Sequence, residues 1–129
     1  MIDGFDEALA AFGRQVVETH RRACIKTAAD IHRRLVDRSP VDSGAFRRDW
    51  AIDVGEAKPR EFVKAEPGKS FPPLRTDFAA LETAPNFPLL TVSDVAPYAE
   101  KLAEGHSPQA PEGWVDLAVE EAAAALGRP

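Results

Sequence analysis

Few residues in this chain could do covalent chemistry. His20, His32 and His106 are the only histidines among 129 residues, and Cys24 is the only cysteine. A side-chain nucleophile needs a base within hydrogen-bond reach and a third group to orient that base. Asp42, Ser43 and His106 are the one trio of suitable types, and ester or amide hydrolysis is the reaction they would serve. Asp42 and Ser43 are adjacent and follow a proline, which is ordinary turn chemistry. The Gly-x-Ser-x-Gly pattern that presents a nucleophile on a sharp strand-to-helix turn is missing. Zinc sites place Cys and His at short fixed spacings, and no such cluster occurs here. Cys24 falls on an apolar helical stripe, where a thiol packs as a small apolar group. No glycine-rich phosphate loop is present. The expectation is therefore a protein that is not an enzyme, with no catalytic, cofactor-binding or metal-ligating residue and no cofactor.

A second kind of chemistry is charge recognition. Arg22, Lys26 and Arg33 fall on one side of a predicted helix, opposite Cys24, Ile31 and Leu35. They are candidate interface charges. A solvated helix face is the commonest reading of such a row; as a functional surface, an acidic patch on a neighbouring protein suits them better than nucleic acid. The alternative is a small nucleic-acid-binding module that uses this basic helix, with binding that weakens steeply in salt. Residues 1–50 hold 9 Lys/Arg and 8 Asp/Glu, whereas residues 51–129 hold 7 and 13. Such an asymmetry suits head-to-tail contacts between copies.

The elements that must position these residues follow from periodicity. Phe5, Leu9, Phe12 and Val16, then Cys24, Ala28, Ile31 and Leu35, recur in steps of three and four, so residues 3–38 are predicted helical. Ser39-Pro40 ends that helix, because the residue before proline avoids the α region. A helix of this length would span about 54 Å, against roughly 36 Å for a compact chain of this size. It must kink or project. The two apolar groups centre about 100° apart around the helix, so its halves face different directions. A break is expected between Glu18 and Arg22.

Alternation predicts a strand over 50–54, a second short strand at Glu61–Lys64, and a strand over Leu89–Val95 that pairs with the first. Residues 65–73 are an exposed loop. Thr76 caps a short helix that ends at Thr83. Tyr98–Glu104 forms a helical turn stopped by Gly105, and Trp114–Leu126 is a final helix. The fold class is α+β, with a long N-terminal helix, a small mostly antiparallel β-sheet and a C-terminal helix. One domain covers 1–129: the helix over 1–38, strands and a variable loop over 39–95, and a loop plus C-terminal helix over 96–129. The first residues do not form an apolar leader, and no segment approaches the roughly 20 apolar residues of a membrane span. A soluble chain made in the cytoplasm, with no membrane partner, is expected.

Two patterned stretches remain. In Ser39-Pro40-Val41-Asp42-Ser43-Gly44, Asp42 can accept hydrogen bonds from the amides after it. Gly44 allows a tight turn, and Phe46 and Trp50 stand four apart on a short helical turn. In the second stretch Pro97, Tyr98 and Leu102 precede Gly105, and Pro108, Pro111 and Gly113 pin an excursion that ends at Trp114. His106 and Gln109 can bond to loop backbone there. Proline-pinned loops lose little entropy when a partner docks. His106, Ser107, Gln109, Pro111 and Trp114 are the candidate docking residues. Pro40, Asp42, Gly44, Trp50, Pro97, Tyr98, Gly105 and Gly113 are the structural positions of the motifs.

These stretches resemble the HK97 gp10-like family of phage proteins, the tail-completion or neck proteins. The resemblance is carried by Ser39 to Gly44, Trp50, Pro97-Tyr98-Ala99, Leu102, Gly105, Ser107, Gln109-Ala110-Pro111, Gly113 and Trp114-Val115, in that order. It covers roughly residues 39–121. Phe46 stands where the family commonly has leucine, Asp49 where serine is usual, and Ala103-Glu104 replace a Glu and an aromatic. The resemblance implies a structural protein of a tailed-phage virion. It would act in tail completion or head–tail joining as a ring of several copies, with a hexamer fitting the tail symmetry. Its neighbours would be neck, connector or tail proteins.

Overall fold

The computed structural model describes residues 4–126. Helix α1 runs unbroken over Phe5–Arg38, about 51 Å at 1.5 Å per residue. It is followed by α2 (Ala45–Asp49), strand β1 (Ala51–Val54), a 3-10 helix (Phe78–Thr83), strand β2 (Leu90–Ser93), α3 (Ala99–Ala103) and α4 (Trp114–Leu126). The two strands pair antiparallel, with Ile52 opposite Val92 and Asp53 opposite Thr91. This is the expected α+β arrangement.

α1 stops where proline requires it. Ser39 is extended (φ −62°, ψ 135°). Its hydroxyl donates to the Leu35 carbonyl at 2.5 Å and accepts from Trp50 Nε1 at 2.7 Å. One side chain thus closes the last turn and anchors the indole.

The expected break between Glu18 and Arg22 is not there. Glu18 accepts from Arg21 and Arg22 across it, at 2.9 Å each. Arg21 also donates to the Glu82 and Ala84 carbonyls at 3.0 and 3.2 Å. These contacts hold the middle of α1 helical and fasten it to the end of the 3-10 helix. The length excess is relieved by projection instead. Every residue from Gly4 to Val16 is exposed, and Phe5, Leu9, Phe12 and Val16 keep at least half their surface.

The C-terminal half of α1 faces the core. Leu35, Phe46, Ala96, Ala110, Trp114 and Ala118 form one buried cluster, and Ala28, Ile52 and Leu81 form a second under the strands. α4 packs on α1 through Trp114, Ala118 and Ala122. Small residues there let the helices approach closely. Arg34 and Arg38 of α1 both reach Glu121 of α4. Leu117 and Leu126 are about half exposed.

Two local expectations are corrected. Residues 61–64 form no strand; Phe62 alone packs inward, 5.7 Å from the Tyr98 ring. A single anchor cannot set a register. The 3-10 helix is capped by Asp77, whose carboxylate accepts from Ala79 N at 3.0 Å, and not by Thr76. The Thr76 hydroxyl instead accepts from Ile52 N at 3.2 Å, satisfying the open edge of β1.

Candidate docking site

The two patterned stretches fold against each other. Gln109 Nε2 donates to the Val41 carbonyl and Gln109 Oε1 accepts from Val41 N, each at 2.9 Å. The side-chain amide thereby copies a strand partner and joins the loop after α1 to the loop before α4. Beneath it, Phe46 lies 5.7 Å from Trp50, 6.2 Å from Tyr98 and 6.3 Å from Trp114. Tilted and edge-on aromatic contacts of this kind add to simple burial. Gly44, with φ at 89°, starts α2 and so delivers Phe46 to that cluster.

The result is a concavity of about 430 Å³ with an apolar floor of Phe46, Tyr98 and Leu102 and a rim of Asp42, Lys101 and His106. A second depression, of about 500 Å³, lies on the other side of Gln109, with Pro111, Arg47 and Glu121 at its border. The 106–113 loop is a ridge between them. Gly105, with φ at 89°, sets the base of the ridge: a Cβ there would stand 2.5 Å from Glu112 N. Burial, helped by the negative charges of Asp94, Asp42 and Asp49, pushes the Tyr98 phenol above its ordinary range, so its hydroxyl stays a donor.

The suggested hydrolytic trio lines the first concavity without bonding. Ser43 Oγ accepts from Ala45 N at 3.3 Å, and His106 Nε2 is 3.9 Å from Glu104. Asp42 makes none of the expected capping bonds; Ser43 takes that role. Among the described residues no group of three or more His, Cys, Asp or Glu could hold a metal ion. Among the described residues no helix is long and apolar enough to cross a membrane. Cys24, expected in the core, is only half-buried, with its sulfur 3.7 Å from His20 Nε2.

His106, Gln109 and Pro111 are exposed and Ser107 is half-buried. Trp114 is corrected: it is 4% exposed, and its Nε1 donates to the Leu102 carbonyl at 2.8 Å. It supports the ridge from inside and offers no ring to a partner. Arg22, Lys26 and Arg33 are exposed on α1, outside both depressions. Arg22 pairs with Glu18, and Arg33 with Asp30 and Asp37, within the helix.

Sequence reasoning missed a buried polar cluster behind the ridge. Asp49 accepts from Val95 N at 2.6 Å and from Arg60 at 3.1 Å, while Arg60 also donates to the Ser93 carbonyl at 3.0 Å. Asp94 lies beside Asp49, and its Oδ2 is buried with no hydrogen-bond partner among the described residues. Burial first, and then the Asp49 charge, push the Asp94 carboxyl up to about 8. The one available signal was Asp49, standing where the resembling family has serine.

Compared with protein-family models, with curated proteins and with solved structures, the chain finds no match.

Proposed function

We propose that this chain is a structural protein of a tailed-bacteriophage virion, acting in tail completion or head–tail joining at the neck as a ring of several copies. The observation that supports this reading most is the two-way Gln109–Val41 contact. It unites the two separated segments that carry the resemblance into one ridge flanked by two depressions. The ridge is rigid because prolines and Gly105 fix its backbone and Trp114 fills its underside. A preformed surface of that kind gives up little entropy on docking. Its role is to fit a neighbouring neck, connector or tail protein by shape and hydrogen bonding.

The projecting half of α1 suits the same role, since a ring needs two different faces on each subunit. The nucleic-acid alternative gains little from Arg22 and Arg33, because both already hold carboxylates within the helix. The test is composition: purified particles of a phage encoding this chain should contain it in several copies each by quantitative mass spectrometry. Particles free of the protein would overturn the proposal.

A further inference from the structure

The chain carries an apolar knob and an apolar hole that it cannot bring together itself. The knob is the stripe Phe5, Leu9, Phe12 and Val16 on the projecting part of α1, exposed by 54, 57, 63 and 50%. Asp6 flanks the stripe and Glu7 lies in the same first turn. The hole is a groove of about 260 Å³ where the C-terminal part of α1 meets α2 and the loop before the 3-10 helix. Val36, Trp50, Leu74 and Phe78 line it, and Leu74 and Phe78 remain 61 and 46% exposed at its lip. Arg47 and Arg48 border it. Arg47 donates one Nη2 bond to the Asp37 carbonyl at 3.1 Å, while its buried Nε has no hydrogen-bond partner among the described residues; Arg48 stacks on Phe71 at 4.8 Å.

Knob and hole match in character: an apolar stripe flanked by Asp6, and an apolar groove with two arginines at its edge. They cannot meet within one molecule. Phe12 and His32, which also lines the groove, stand on the same unbroken helix, about 30 Å apart at 1.5 Å per residue.

We propose that the projecting N-terminal part of α1 from a second copy of this chain occupies the groove, with Phe5, Leu9 and Phe12 as anchors and Asp6, on the flank of that stripe, beside Arg47 and Arg48. The contact is heterologous: each copy gives an arm and receives one. Such contacts close into rings when the rotation per copy divides the circle, and otherwise run on as filaments. The inference deepens the proposed ring, but it is tested in solution without any virion, so the two can fail separately.

The experiment is sedimentation analysis of the full chain up to millimolar concentration, with an arm variant (Phe5→Asp with Phe12→Asp) and a groove variant (Leu74→Asp with Phe78→Asp). All four positions are substantially exposed, and circular dichroism checks that each variant folds. The wild-type chain should self-associate, and each variant alone should lose that association. An equimolar mixture should form one-to-one pairs, because the arm variant keeps a working groove and the groove variant a working arm. A wild-type chain that stays monomeric throughout would overturn the proposal. So would a groove variant that still assembles, which would mean arms pairing with arms.

Discussion

Gln109 and Val41 hydrogen-bond to each other in both directions at 2.9 Å, although 68 residues separate them. The pair joins the two loops that form the ridge and its depressions. Replacing Gln109 with alanine removes both bonds. At about 0.5–1.5 kcal/mol each, and with the site exposed, Gln109→Ala should cost about 1–2 kcal/mol. The Val41 amide should also exchange faster with solvent. Denaturant unfolding and hydrogen exchange read the two effects. Unchanged protection at Val41 would show that the loops are held together some other way.

Gly105→Ala should be worse than its size suggests. The position needs φ at 89°, and the new Cβ would meet the Glu112 backbone at 2.5 Å. Backbone strain and the clash together should cost more than about 2 kcal/mol. Gly113→Ala also has a positive φ but meets nothing within 4 Å, so it should cost less. Thermal unfolding of both variants gives the ranking; equal losses would contradict it.

Asp94 makes stability depend on pH. Its folded carboxyl titrates at about 8 against an ordinary value of 3.8, with burial the main cause. A group whose pKa is raised on folding contributes most below its unfolded pKa, and that contribution is lost as pH rises through the folded one. Asp94→Asn abolishes this titration. The variant should gain on the wild type steadily between pH ~4 and ~8, by a few kcal/mol in all. A stability difference that stays flat over that window would mean that Asp94 is ionised in the fold.

Asp53 works the other way. It is 3% exposed and accepts from Arg75 at 2.7 and 2.9 Å. The guanidinium holds its carboxyl below the usual range. Its contribution is present above the ordinary carboxylate range and lost as pH falls through the lowered value. Arg75→Met leaves the carboxylate buried with the Lys58 amide as its remaining donor. Because Arg75 is itself about one-third exposed, the cost at neutral pH should be about 1–2 kcal/mol. It should shrink in acid as Asp53 becomes protonated. A cost independent of pH would point to lost packing and not to lost charge.

Much of this architecture is legible in the sequence because it rests on local signals. Ser39-Pro40 stops α1 by backbone sterics, and the 114–126 periodicity gives the α4 boundaries the fold has. The overlong helix was legible as a problem of length, but its solution was not. Projection prevailed over a kink because Glu18, Arg21 and the carbonyls of residues 82 and 84 brace the middle of α1, and the last two come from a distant segment. Asp77 caps the 3-10 helix while the Thr76 hydroxyl accepts from Ile52 of β1, a partner that local sequence does not reveal. Trp114 was legible as important, yet whether an aromatic residue serves the core or a surface depends on what folds over it. The Asp49–Asp94–Arg60 cluster joins three segments with no shared pattern, so only the fold reveals it.

The most direct test of the central claim is electron microscopy of lysates from a phage or prophage whose copy of this gene carries an early stop codon. The proposal predicts filled heads lying beside separate tails, with joined particles restored when the protein is supplied in trans. Normal, infectious particles from the interrupted gene would contradict it.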